Sequence, residues 1–98
     1  MFDLMGKMGE LKKNMEAAKE RLNAILVVGY AGDREIQVTM NGNRKLISID
    51  IADHLLFPEK KLEVQELIEV AMNRALEDAE KVFEAEMKSA GKGMIPGF

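Results

Sequence analysis

The chain has 98 residues, of which 47% are hydrophobic and 32% charged, with no cysteine and a net charge of −3. A chain of this length makes at most one domain, and this hydrophobic share argues against disorder. Without cysteine it has no disulfides, Cys-ligated zinc, thiol catalysis or iron–sulfur cluster, and a negative net charge leaves no globally basic patch of the kind that marks nucleic-acid binders. The opening residues carry Asp3, Lys7, Glu10 and Lys12, so no signal peptide is expected. The longest apolar run, Ala24 to Ala31, falls well short of the roughly 20 residues of a membrane span. These features predict a soluble intracellular protein.

The charge is unevenly spread. Residues 1–24 carry +1, residues 25–51 are neutral, and residues 52–98 carry −4. An anionic partner would therefore meet a local basic cluster rather than the molecule as a whole.

Residues 1–24 read as a helix. Leu4, Met8, Leu11, Met15, Ala18, Leu22 and Ile25 recur at spacings of four and three, a heptad seam. Gly6 and Gly9 each cost about 1 kcal/mol in a helix interior, which predicts fraying or bending of the first turns. The charges flanking the seam, Lys7, Lys12, Lys19 and Arg21, are all positive, and Glu10, Glu16 and Glu20 fall on the outer face. A parallel self-paired coil would oppose like charges, so the seam is expected to meet the sheet or an acidic helix. The plainer reading of each lysine is a solvated flank.

Residues 25–51 read as a three-stranded meander. Ile36, Val38 and Met40 alternate with Glu35, Gln37 and Thr39, and Ile47, Ile49 and Ile51 alternate with Ser48 and Asp50. Period two gives each strand one apolar face. Asn41-Gly42 is a hairpin signal through its tolerance of positive φ, and Gly32 marks the earlier turn. The first strand, Ile25 to Tyr30, is apolar at four consecutive positions, which predicts burial on both faces with Gly29 as a bulge.

Ala52 to Phe57 reads as a short connector. His54 is the single histidine, has no metal-ligand spacing around it, and reads as a surface or packing residue. Residues 58–89 read as the second helix. Pro58 suits a first helical position, and a stripe runs from Val64 through Leu67, Ile68, Ala71, Met72, Ala75, Leu76, Ala79, Val82 and Phe83 to Met87, opposite a face crowded with glutamates. Residues 90–98, with two glycines and then Pro96-Gly97, stop the helix and read as a mobile tail. A ~30-residue helix is ~45 Å long, against ~23 Å for a seven-residue strand. The overhang carries Val82, Phe83 and Met87, which should not stay wet, so a homodimer is expected. The residues expected in the core or the dimer contact are Ile36, Val38, Met40, Ile47, Ile49, Ile68, Ala71, Ala75, Val82 and Phe83.

Taken together these pieces resemble the YbaB/EbfC family of bacterial nucleoid-associated proteins. The resemblance runs through Val28-Gly29 and Ala31-Gly32, the strand and turn Ile36-Gln37-Val38-Thr39-Met40-Asn41-Gly42, Ile47-Ser48-Ile49-Asp50, the helical segment Leu67 to Ala75, and the Met94-Ile95-Pro96-Gly97-Phe98 tail. It covers nearly the whole chain. The glycine-rich run after the first strand is shortened here to Ala31-Gly32-Asp33-Arg34, and Ala52 stands where proline is common. The resemblance implies an α+β fold, an intertwined α-β-β-β-α homodimer with a shared sheet core and helices that project like tweezers. It also implies binding to duplex DNA with little sequence preference, a role in nucleoid organisation or gene expression, a nucleoid location in the cytoplasm, no catalysis and no cofactor.

Candidate DNA-contacting residues are Lys7, Lys12, Lys13, Lys19 and Arg21 on the first helix, Arg34, Arg44 and Lys45 on the turns, and Lys88 and Lys92 near the end of the second helix. Phosphate neutralisation by such groups supplies most non-specific affinity. Asn14, Asn43 and Asn73 could add hydrogen bonds, but no recognition-helix pattern supports base readout. The competing reading is an acidic dimeric adaptor that binds another protein through adaptable surface such as Met5, Met8 and Met15. An enzyme is not expected: there is no phosphate loop, no Gly-x-Ser-x-Gly, and Ser48, Asp53 and His54 have no triad-like setting. No metal, membrane or small-molecule substrate is expected.

Overall fold

The computed structural model describes Leu4–Gly91. Lys92 and the tail through Phe98 lie outside the described residues, as do Met1–Asp3. Helix α1 (Leu4–Ala24) is followed by strands β1 (Leu26–Ala31), β2 (Ile36–Asn41) and β3 (Leu46–Ile51). Two 3-10 turns, Asp53–Leu55 and Pro58–Lys60, then lead into α2 (Lys61–Gly91). The order is α-β-β-β-α, and the three strands form one antiparallel sheet in the order β1-β2-β3.

Alternation on β2 decides the core. Ile36, Val38 and Met40 turn to one face and are buried there, with Ala31 and Leu55, against Ala71 and Ala75 of α2. Burying a side chain the size of Ile36 or Val38 contributes roughly 1.5–3 kcal/mol. Val64, Leu67, Ile68, Met72 and Leu76 complete the helix side, half-buried around that centre. The α2 stripe covers β1 and β2 but not β3, whose Ile47 and Ile49 stay exposed.

β1 departs from the sequence expectation. Its register is unbroken from Leu26 opposite Asn41 to Ala31 opposite Ile36, so Gly29 is not a bulge. Nor is the strand covered on both sides, since Leu26 is 58% exposed. The core face consists of Val27, Gly29 and Ala31. Gly29 is there because α2 comes very close: a Cβ would lie 2.6 Å from the Ala75 nitrogen, and closer still to the Ala71 carbonyl oxygen. The sheet's irregularity falls instead between β2 and β3, where Met40 pairs with Leu46 and Ile47 becomes an extra residue.

The β2–β3 turn also differs from expectation. Neither Asn41 nor Gly42 has positive φ, whereas Arg44 does, at 65°. The Arg44 N–H donates to the Asn41 carbonyl, and the Asn41 N–H to the Lys45 carbonyl. This is a three-residue loop ending on a left-handed residue rather than a two-residue Asn-Gly turn. Gly42 is required for space, because a Cβ would lie 2.7 Å from Leu22 Cδ2 and 3.0 Å from the Leu22 carbonyl oxygen. In the β1–β2 turn Gly32, Asp33 and Arg34 all have positive φ.

α1 does not lie on the sheet. It runs through Gly6 and Gly9 as one helix, and its seam meets α2. Ala18, Leu22 and Ala79 are fully buried. Of the two partners expected for the seam, the acidic helix is the one observed. The C-terminal half of α2 overhangs the sheet and pairs with α1 as a helical arm, giving a molecule 69 Å long and 21 Å by 16 Å across.

Candidate nucleic-acid interface

The arm carries most of the basic candidates. Lys7, Lys12, Lys13 and Lys19 are all exposed on α1. Lys12 and Lys19 stand seven residues apart, on one stripe beside the buried seam. No ion pair among the described residues engages Lys12, Lys13 or Lys19. Arg21 is committed to the arm itself. Its Nε donates to Glu86 Oε1 at 2.6 Å, which pins α1 to α2.

The β2–β3 turn is fastened to the same helix. Asn43 Nδ2 donates to the Lys19 carbonyl at 2.8 Å and to Asn23 Oδ1 at 2.6 Å. Asn41 Oδ1 accepts from the N–H groups of Asn43 and Lys45. The Gly42 N–H donates to the carbonyls of Leu22 and Ile25, both at 2.9 Å. These bonds hold the turn beside Lys19 and commit Asn43 to structure. Arg44 is exposed on this turn, and its guanidinium lies 4.3 Å from the centroid of the Phe83 ring. Lys45 stays exposed next to it. The Asn43 bond to the Lys19 carbonyl thus places the turn that carries Arg44 and Lys45 next to Lys19, with Lys12 two turns further along α1.

The remaining candidates lie elsewhere. Arg34 sits on the β1–β2 turn, at the opposite end of strands about 20 Å long, and its guanidinium lies 5.2 Å from the Tyr30 ring centroid. Lys88, near the end of α2, lines an open apolar hollow of about 390 Å³ with Phe83, Glu84 and Met87. Of the residues expected in the core or dimer contact, Ile36, Val38, Met40, Ala71 and Ala75 are buried, Ile68, Val82 and Phe83 are half-buried, and Ile47 and Ile49 are exposed.

Sequence reasoning missed Arg74. Its Nη1 donates to the Tyr30 carbonyl at 2.8 Å, across the edge of β1. Nothing in its spacing signals this, because the contact exists only once α2 lies on the sheet. His54 is exposed and contacts the Glu35 carboxylate. Among the described residues no group of three His, Cys, Asp or Glu side chains is placed to hold a metal ion, and no helix is long and apolar enough to cross a membrane.

The structure is a three-stranded meander capped by one helix, with a projecting two-helix arm that presents lysines. A model of the YbaB/EbfC DNA-binding family matches residues 1–94, and the chain belongs to that family. A nucleoid-associated protein of Flavobacterium johnsoniae is 35% identical over 98 residues, covering 97% of this chain and 91% of its own. One from Alkaliphilus metalliredigens is 34% identical over 98 residues, covering 99% of this chain and 86% of its own. The crystal structure of HP0035 from Helicobacter pylori shares the fold, with a TM-score of 0.77 at 24% identity, covering 84% of this chain and 86% of that one. The family is one of nucleoid-associated DNA-binding proteins rather than of enzymes.

Proposed function

We propose that this protein binds duplex DNA as a homodimer, with little sequence preference and mainly through phosphate contacts, as part of the bacterial nucleoid in the cytoplasm. The observation that carries the reading is the basic stripe on the arm: Lys12 and Lys19 are exposed on α1, and the turn that carries Lys45 is fastened next to Lys19 by the Asn43 hydrogen bonds. Lysines on a helix flank act as point charges for phosphate, and no helix among the described residues has the pattern of a base-reading element. Lys7, Lys13, Arg34, Arg44, Lys88 and Lys92 are secondary candidates. Arg21 serves the arm's rigidity. A second copy is supported by apolar side chains left in water, above all Ile47, Ile49, Leu56 and Phe57. Family membership supports the DNA partner and the nucleoid location.

The test is fluorescence anisotropy of a labelled mixed-sequence duplex at several salt concentrations. Saturable binding whose logarithm falls steeply with the logarithm of salt concentration is expected, with comparable affinity for unrelated sequences. A folded protein that binds no duplex even at low salt would overturn the DNA reading in favour of a protein-binding adaptor.

A further inference from the structure

The last four carbonyls of a helix have no helical partner, and they give its C-terminus a partial negative charge that repels anions. In α1 the β2–β3 turn covers this end with donors. The Leu22 carbonyl accepts from the Ile25 N–H at 3.2 Å and from the Gly42 N–H at 2.9 Å. One turn earlier the Lys19 carbonyl accepts from Asn43 Nδ2 at 2.8 Å. The same Nδ2 donates to Asn23 Oδ1 at 2.6 Å, an oxygen that Asn41 Nδ2 also reaches at 3.4 Å. Three asparagines from α1, β2 and the turn thus form one latch at the root of the arm.

The latch fixes the backbone that carries Lys45. The Lys45 N–H donates to Asn41 Oδ1 at 3.1 Å, and the Lys45 carbonyl accepts from the Asn41 N–H at 2.9 Å. The Lys45 side chain stays exposed, as does that of Lys19. An amide nitrogen has two hydrogens, and both of those on Asn43 Nδ2 are engaged, with the Lys19 carbonyl and with Asn23. That nitrogen has no hydrogen left to offer a phosphate.

We propose that Asn43 is a positioning residue for duplex binding: it latches the β2–β3 turn to α1, so that Lys45 of the sheet and Lys19 of the arm meet the phosphates of one duplex as a fixed pair. The proposal rests on the DNA reading and adds to it a contact from the sheet and the residue that sets that contact. Its physical basis is ordering. A lysine on a loose turn loses backbone as well as side-chain freedom when it engages a phosphate, whereas on a latched turn only the side chain remains to be ordered. The donors of Asn43 and Gly42 also offset the negative end of α1 at the place where the phosphates approach.

Two isosteric changes separate geometry from charge. Asn23→Asp and Asn43→Asp each add one negative charge to the same 2.6 Å contact. Asn23→Asp keeps the oxygen that both amides use, so the latch holds. Asn43→Asp sets a carboxylate against two oxygens, so the latch opens. The experiment is anisotropy of a labelled mixed-sequence duplex with the full chain, measuring the effect of Lys45→Ala in each background. In the wild type and in Asn23→Asp, Lys45→Ala is expected to weaken binding and to lessen the log–log salt slope by about 1. Asn43→Asp is expected to bind several-fold more weakly than Asn23→Asp, and in it Lys45→Ala should change little, the non-additivity of two residues that act as a unit. Asn43→Ala, which removes the donors without placing a charge, gives the same comparison should Asn43→Asp unfold. Equal losses from Lys45→Ala in all backgrounds, or no loss in the wild type, would overturn the latch and leave duplex binding by the arm standing. A folded wild type that binds no duplex at low salt would overturn both.

Discussion

The Arg44 guanidinium lies 4.3 Å from the centroid of the Phe83 ring, reached from a backbone held at a φ of 65°. A non-glycine residue in the left-handed region costs on the order of 1 kcal/mol or more. The stacking on Phe83 offsets about 0.5–2 kcal/mol of that, depending on how far the charge is desolvated. Arg44→Ala keeps the strain without the stacking, so it should lower stability by about 1 kcal/mol. Arg44→Gly removes both and should sit close to wild type. Urea midpoints of the two variants check the order; Arg44→Gly falling below Arg44→Ala would refute this account of the turn.

Gly29 allows α2 to touch β1 through backbone. Gly29→Ala forces a Cβ against the Ala71 carbonyl and the Ala75 nitrogen, neither of which can rotate away. A loss of about 1–3 kcal/mol is expected, as for other overpacked cores. Gly6 and Gly9 are the internal controls. A Cβ at either meets nothing within 4 Å, so alanine there should stabilise by roughly 0.5–1 kcal/mol each. Denaturant titration of the three variants should show opposite signs.

The arm's basic residues should separate by role. Lys12→Ala and Lys19→Ala should each lessen the log–log salt slope of duplex binding by about 1 for every phosphate the lysine neutralises, across all sequences alike, with unchanged melting temperature. Arg21→Ala removes the Glu86 ion pair. With Arg21 56% exposed, it should cost well under about 1 kcal/mol of stability. A slope unmoved by Lys12→Ala and Lys19→Ala together would shift the phosphate-binding surface away from this stripe.

Arg74→Ala releases the Tyr30 carbonyl at the β1 edge. Exposure limits the direct loss to about 1 kcal/mol. The larger effect should be on association, since an unguarded edge pairs with other chains. Light scattering at high protein concentration is expected to rise for Arg74→Ala and to stay low for Lys81→Ala, a neutral change on the same helix.

Much of the architecture is legible in local spacing. Ile36, Val38 and Met40 at period two, and the Leu4 to Leu22 seam at heptad spacing, place the strands and the first helix, because burial repeats with the geometry of each element. The acidic composition of residues 58–89 is enough to name α2 as one of two partners for a seam flanked by positive charge. Tertiary structure decided the rest. Asn41-Gly42 reads as a turn defined by positive φ, yet Gly42 is held by the nearness of Leu22 and the left-handed residue is Arg44. Gly29 reads as a bulge, and its reason is Ala71 and Ala75, more than forty residues away. Basic residues flanking the seam are equivalent by spacing; the fold pairs Arg21 with Glu86 and sets Asn43 on the Lys19 carbonyl. Periodicity reports how a chain repeats along itself; which surfaces then meet, and so which charges stay free for a partner, is settled only when elements distant in sequence dock.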